Sequence, residues 1–144
     1  MVTSPTLLVW QLADSAFPTG GFAHAGGLEA AVQLGAVAGT GGLARFAEAA
    51  LWNAGTFSLP FASAAHRDPA ALAYLDRRRD AYTPGQVANR ASRAQGQAFV
   101  RAAEEAFGGA AAGVAARVRR ERLCGHLAPA SGAVLAALGV PLEE

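Results

Sequence analysis

The side chains able to do chemistry gather in two places. The first is PTGGFAHAGGLEAA, residues 18–31, where Gly21-x-x-x-x-Gly26 has the spacing of a phosphate loop. A phosphate loop continues with Lys and then Ser or Thr, for the phosphate charge and for magnesium. Here Gly27 and Leu28 follow, and a helical pattern rather than a strand precedes, so a nucleotide cradle is excluded. Gly39-Thr40-Gly41-Gly42 is no better, because no strand and no following acidic residue frame it. His24 and Glu29 in the same stretch invite a metal or acid–base reading. Five residues apart on a helix, they point about 140° away from each other and cannot share one small ion. The simpler reading is a packed or capping histidine and a glutamate paired with an arginine.

The second place is Cys124-Gly125-His126, a thiol and an imidazole one residue apart. These are two soft ligands, and a tetrahedral site needs four. A second copy of the chain would have to supply the rest, whereas a packed thiol beside a helix-capping histidine needs nothing further. His66, next to Arg67 and Asp68 at a helix junction, reads as a surface residue. No serine sits in a Gly-x-Ser-x-Gly elbow, and no pair of carboxylates stands out. The residues describe a protein without visible catalytic equipment, with a glycine-rich helix entrance suited to close packing and protein contact.

The elements that must position these groups are helical throughout. Residues 6–16 form a short apolar helix with Leu8, Leu12 and Ala16 on one stripe, ended by Pro18. A second helix runs from about Ala23 to Gln33 and stops at Gly35. Thr40 caps a long segment to Ala65, which Pro60 kinks or breaks. Asp68-Pro69 and Thr83-Pro84 are helix starts, a capping side chain followed by proline. The second of these opens a long helix to Phe107, where Gly108-Gly109 ends it. Val87, Ala91, Ala94, Ala98 and Ala102 give that helix a narrow, small-residue stripe. The Gly/Ala-rich residues 109–116 read equally as helix or flexible join. A last apolar helix opens at Pro129 and closes at Gly139. With little chain after it, this helix is expected to lie partly uncovered. Strong β-formers are too scattered for a sheet.

Composition bounds the class. The chain has 144 residues, one domain's worth, with 52% hydrophobic and 16% charged side chains, which argues against disorder. Every basic residue is Arg, so a Schiff-base lysine and a Walker lysine are both absent. The net charge of +1 is no nucleic-acid footprint. Residues 67–122 nonetheless carry eleven Arg against six acids, which suits an acidic partner or a solvated set of helix faces. A single cysteine rules out a disulfide within the chain. No run of about 20 apolar residues is present to span a bilayer. The expectation is a cytoplasmic protein that binds neither nucleic acid nor membrane.

At this point the residues resemble a family. LLVWQLADSAFPTGGFAHAGGLEAAVQLGAV is similar to the N-terminal signature of the urease accessory protein UreF family. It matches through Gln11, Leu12, Asp14, Ser15, Pro18, Gly20, Gly21, Phe22, His24, Gly27, Leu28 and Glu29. NRASRAQGQAFVRAA resembles a second family segment through Arg90, Ser92, Gln95 and Gly96. GHLAPASGAVLAALGV resembles a third through His126, Pro129, Gly132, Leu138 and Gly139.

The resemblance implies one all-α domain over residues 1–144, a compact helical fold of the UreF type with about six to seven helices. It implies an accessory protein rather than an enzyme, a homodimer in the full-length family. Such a protein bridges UreD (also called UreH) and the GTPase UreG and supports nickel insertion into apo-urease. Nickel and GTP are then expected on the partner GTPase, and no cofactor or resident metal on this chain. The implied partner-binding or nickel-path residues are Pro18, Gly20, Gly21, Phe22, His24, Gly27, Glu29, Arg90, Ser92, Gln95 and His126. Whether they face the partners or the transiting nickel is open at this stage. Family members are longer, so the chain is expected to be truncated at its C-terminus. The competing expectation is a helical enzyme or small-ligand-binding protein using His24, Glu29 and His126.

Overall fold

The computed structural model describes residues 4–14, 16–21 and 25–143. Among these the chain is all-α. The helices are α1 (Pro5–Ala13), α2 (Leu28–Gln33), α3 (Gly39–Asn53), α4 (Leu59–Arg67), α5 (Leu72–Ala81), α6 (Gln86–Phe107), α7 (Gly109–Arg120) and α8 (Leu127–Ala137). A π-helical turn, Ala54–Ser58, joins α3 to α4 in one rod, so the eight segments make seven separate helices. No helix among the described residues is long and apolar enough to cross a membrane.

Local chemistry explains most boundaries. Pro60 lies in the first turn of α4, where its missing N–H costs least, and the π turn comes just before it. Arg79 props that turn: its guanidinium donates to the Phe57 carbonyl at 3.0 Å and lies 4.2 Å over the Phe57 ring. Asp68 accepts from the Ala70 amide at 3.0 Å and opens a 3₁₀ turn, Pro69–Ala71, that runs into α5. Thr83 does not cap α6 as the Thr-Pro pair suggests. Its hydroxyl donates back to the Arg79 carbonyl at 2.8 Å, closing α5, and α6 starts after Gly85 with no side-chain cap. Residues 109–120 are helical, so the Gly/Ala tract is no flexible join.

The core surrounds α8. This helix packs against α4, α5, α6 and α7, and it buries Ala128, Pro129, Ala130, Gly132, Ala133 and Val134. Earlier elements thus cover one side of the last helix, while Leu127, Leu135 and Leu138 stay half-buried. Leu12 and Phe17 join the same core, with the Phe17 and Phe99 rings 5.7 Å apart. In α6 the buried residues are Gly96, Phe99, Val100, Ala102 and Ala103. Of the small-residue stripe, Val87 and Ala94 are exposed. Apolar surface is instead left open at the N-terminal side. Trp10 is 68% exposed, Leu34 84%, Leu51 74% and Trp52 67%.

Close helix approach depends on other glycines than Gly26 and Gly27. A Cβ on either of those meets nothing within 4 Å, so the close-packing reading of the glycine turn is corrected. What Gly27 supplies is a left-handed backbone, φ 95°, at the N-cap of α2. Gly27→Ala and Gly27→Leu should therefore cost alike, roughly 1–2 kcal/mol for the left-handed conformation. Equal losses in a chemical melt check this, since steric crowding would make Leu far worse than Ala.

Candidate functional site

The site begins with the loop between α7 and α8. Leu123 to His126 must run close beneath α6, and Gly96 leaves room for it: a Cβ there would lie 2.5 Å from the Leu127 nitrogen. Two carboxylates on α5, four residues apart and so on one face of the helix, then hold the loop. Asp76 is 1% exposed. Its Oδ2 accepts from the Cys124 amide at 2.7 Å, and its Oδ1 accepts from the His126 amide at 2.8 Å. Asp80 meets the imidazole of His126, Oδ1 to Nε2, at 3.1 Å.

His126 is itself fully buried. Its Nδ1 lies 3.1 Å from the Ser92 Oγ on α6. Ser92, His126 and Asp80 thus form one hydrogen-bonded chain that ties α6, the loop and α5 together. Asn89 extends it by donating to Asp80 Oδ1 at 2.9 Å and to the Thr83 carbonyl at 3.2 Å. Gln97 donates to the Cys124 carbonyl at 2.9 Å. The Asn89 amide, then His126, hold the Asp80 carboxyl below its ordinary value of 3.8. Burial, with Asp76 close by, pushes the Cys124 thiol up.

The Asp80 shift has a sign in stability. A carboxyl with a lowered folded value contributes fully above 3.8 and loses that contribution as pH falls through the folded value. The melting temperature of the wild type should therefore drop below that pH, and that of Asp80→Asn should drop less. The comparison of the two profiles is the check.

Two open cavities flank the node. One, of about 560 Å³, is lined by Asn89, Arg90, Arg93 and Gln97 among others. The other, of about 810 Å³, is lined by Gly26, Leu59, Arg79, Ser92 and Gln95 among others. Of the residues singled out from sequence, Ser92 and His126 are brought into direct contact. Gln95 shares the second cavity with Ser92, and Arg90 opens onto the first. Pro18, Gly20, Gly27 and Glu29 are exposed and Gly21 is half-buried, none of them in the hydrogen-bonded chain. Phe22 and His24 lie outside the described residues. His66, read as a surface residue, is half-buried, with Nε2 2.7 Å from the Val140 carbonyl.

Asp76, Asp80, Asn89 and Gln97 were not singled out. The available signal was the i,i+4 spacing of the two aspartates, hidden among the arginines of α5. Chemically the node is well suited to holding three helices in register. It is poorly suited to general base catalysis, because both imidazole nitrogens are engaged and the ring has no solvent contact.

Comparison with known proteins fits a role without catalysis. The UreF family model matches residues 37–144, which include α3 through α8 and every residue of the node. Urease accessory protein F of Oryza sativa subsp. indica is 42% identical over 100 residues, covering 68% of this chain and 38% of that relative. Urease accessory protein UreF of Mycobacterium tuberculosis is 38% identical over 96 residues, covering 67% of this chain and 46% of that relative. This chain therefore spans less than half the length of the curated relatives it matches. No solved structure matches. The matched relatives are named accessory proteins, not enzymes, and the match covers three quarters of the chain: it belongs to the UreF family.

Proposed function

We propose that the chain acts in urease maturation as a UreF-type scaffold. In this reading it bridges UreD/UreH and the GTPase UreG and supports nickel insertion into apo-urease in the cytoplasm, and it pairs with a second copy of itself. Family membership carries the reading. Two features of the fold support it. The titratable node is spent on joining helices rather than on an open reaction centre. The N-terminal side leaves Trp10, Leu51 and Trp52 largely exposed, as an assembly component does before its partners bind.

Co-purification tests it. Tagged chain expressed with UreD and UreG should recover both. Trp52→Ser, at an exposed position, should leave the melt within about 0.5 kcal/mol of wild type and weaken recovery. Glu29→Ala and Arg90→Ala, both exposed, should likewise leave the melt nearly unchanged. Recovery of neither partner by folded wild-type chain would overturn the reading.

A further inference from the structure

We infer that Asp80, Cys124 and His126 form a binding site for one borderline-soft divalent transition-metal ion of the zinc, nickel and cobalt class. One ligand atom from each of these residues lies within 4.8 Å of the others. From sequence, Cys124 and His126 are two ligands in need of more. The fold adds the third from α5, a helix remote in sequence.

The geometry is close to what an ion requires. Asp80 Oδ1 and His126 Nε2 are 3.1 Å apart. That is near the edge expected between two ligands about 2.0–2.1 Å from a tetrahedral ion. Small movements would admit the metal between them. The donor set is one carboxylate, one thiolate and one imidazole, which favours zinc, nickel or cobalt over magnesium or calcium.

Binding balances as follows. The ion displaces the Cys124 thiol proton to solvent and forms a metal–sulfur bond. Coordination needs the neutral ring with its proton on Nδ1, donated to Ser92 Oγ, so the ring changes tautomer and Nε2 exchanges its hydrogen bond to Asp80 for the bond to the ion. Ser92 becomes the outer partner that fixes the ring, as metal-bound histidines generally require. The nearby fixed charges are Asp76 and Asp80 against Arg93, which is 4.0 Å from Asp80. With the thiolate, they sum to the charge that one divalent ion neutralises. The Asp80 side chain, 41% exposed, opens the site to solvent for entry and for a fourth ligand.

The inference goes beyond the scaffold role and does not need it. A chain that binds metal here but fails to recover UreD and UreG would sink only the scaffold reading. The reverse result would sink only this one.

Cobalt(II) is the probe, because thiolate coordination gives a charge-transfer band, and Cys124 is the only thiol in the chain. Titration of the purified chain should saturate that band at one ion per chain. Cys124→Ser should abolish it while the circular-dichroism melt stays cooperative. Asp80→Asn should keep the fold and weaken affinity at least as much as losing an outer partner does, roughly 10–100-fold. Nickel(II) and zinc(II) should compete, and magnesium should not. The absence of a band in folded wild-type chain would overturn the site. A band that Asp80→Asn leaves at full affinity would also overturn it, since the thiol would then be acting alone.

Discussion

Gly96→Ala is expected to abolish stable folding. The added Cβ would overlap the Gly125 carbonyl oxygen and lie 2.5 Å from the Leu127 nitrogen and 2.7 Å from the His126 carbonyl carbon. All three are backbone atoms, so no side chain can swing aside. Either α6 moves away from the loop or the loop leaves Asp76. Overpacking in a tight core costs about 1–3 kcal/mol and occasionally more, and a backbone-on-backbone overlap belongs at or above the upper end. Gly132→Ala should behave alike, because its Cβ would lie 2.8 Å from the Ala62 carbonyl carbon, where α8 crosses α4. Gly113→Ala is the control. It lies inside α7 with nothing within 4 Å, and should gain about 1 kcal/mol from helix propensity. Urea titration of the three variants checks all of this, and a Gly96→Ala chain as stable as wild type would refute the close crossing.

The second large effect belongs to Asp76. Its carboxylate accepts two backbone amides, from Cys124 and His126, in a nearly water-free setting. Asp76→Ala leaves both donors without a partner. A stranded buried donor costs about 1–3 kcal/mol, so the variant should lose about 3 kcal/mol or more. Asp76→Asn keeps one acceptor oxygen and should fall between. Amide hydrogen exchange at residues 124 and 126 separates this account from general softening. Those two amides should lose protection first in Asp76→Asn, while the amides of α7 keep theirs.

Helix order was legible in the residues because breakers and caps act locally. Asp68-Pro69, Pro60 and Gly108-Gly109 each mark a real boundary, since each changes the backbone within one turn. The packing was less legible. The alanines of α6 offered one narrow stripe for close approach, yet burial is decided by where α8 and the loop lie, and the buried positions include Gly96, Phe99 and Val100. The last helix looked partly uncovered because covering was sought in the chain after it. α4, α6 and α7, all earlier, cover one side of it.

The node was half legible. Ser92 and His126 stood out through resemblance to family segments, and their 3.1 Å contact joins positions 34 residues apart. Asp76 and Asp80 stood among Arg77, Arg78 and Arg79, where a carboxylate reads as a solvated surface charge. Only the tertiary fold shows that one of them faces the interior. The glycines carried a similar ambiguity. Gly27 is needed for its backbone angle, Gly96 and Gly132 for their missing side chains, and letters alone do not separate the two reasons.

The central claim is that a UreF-family chain of this length supports urease maturation as a scaffold. Urease activation in cells lacking their own UreF-type protein tests it most directly. Expression of this chain should raise urease activity above the empty-vector level, and Gly96→Ala, which cannot keep the loop in place, should not. Wild-type chain that accumulates folded in those cells, yet leaves urease at the empty-vector level, would contradict the account.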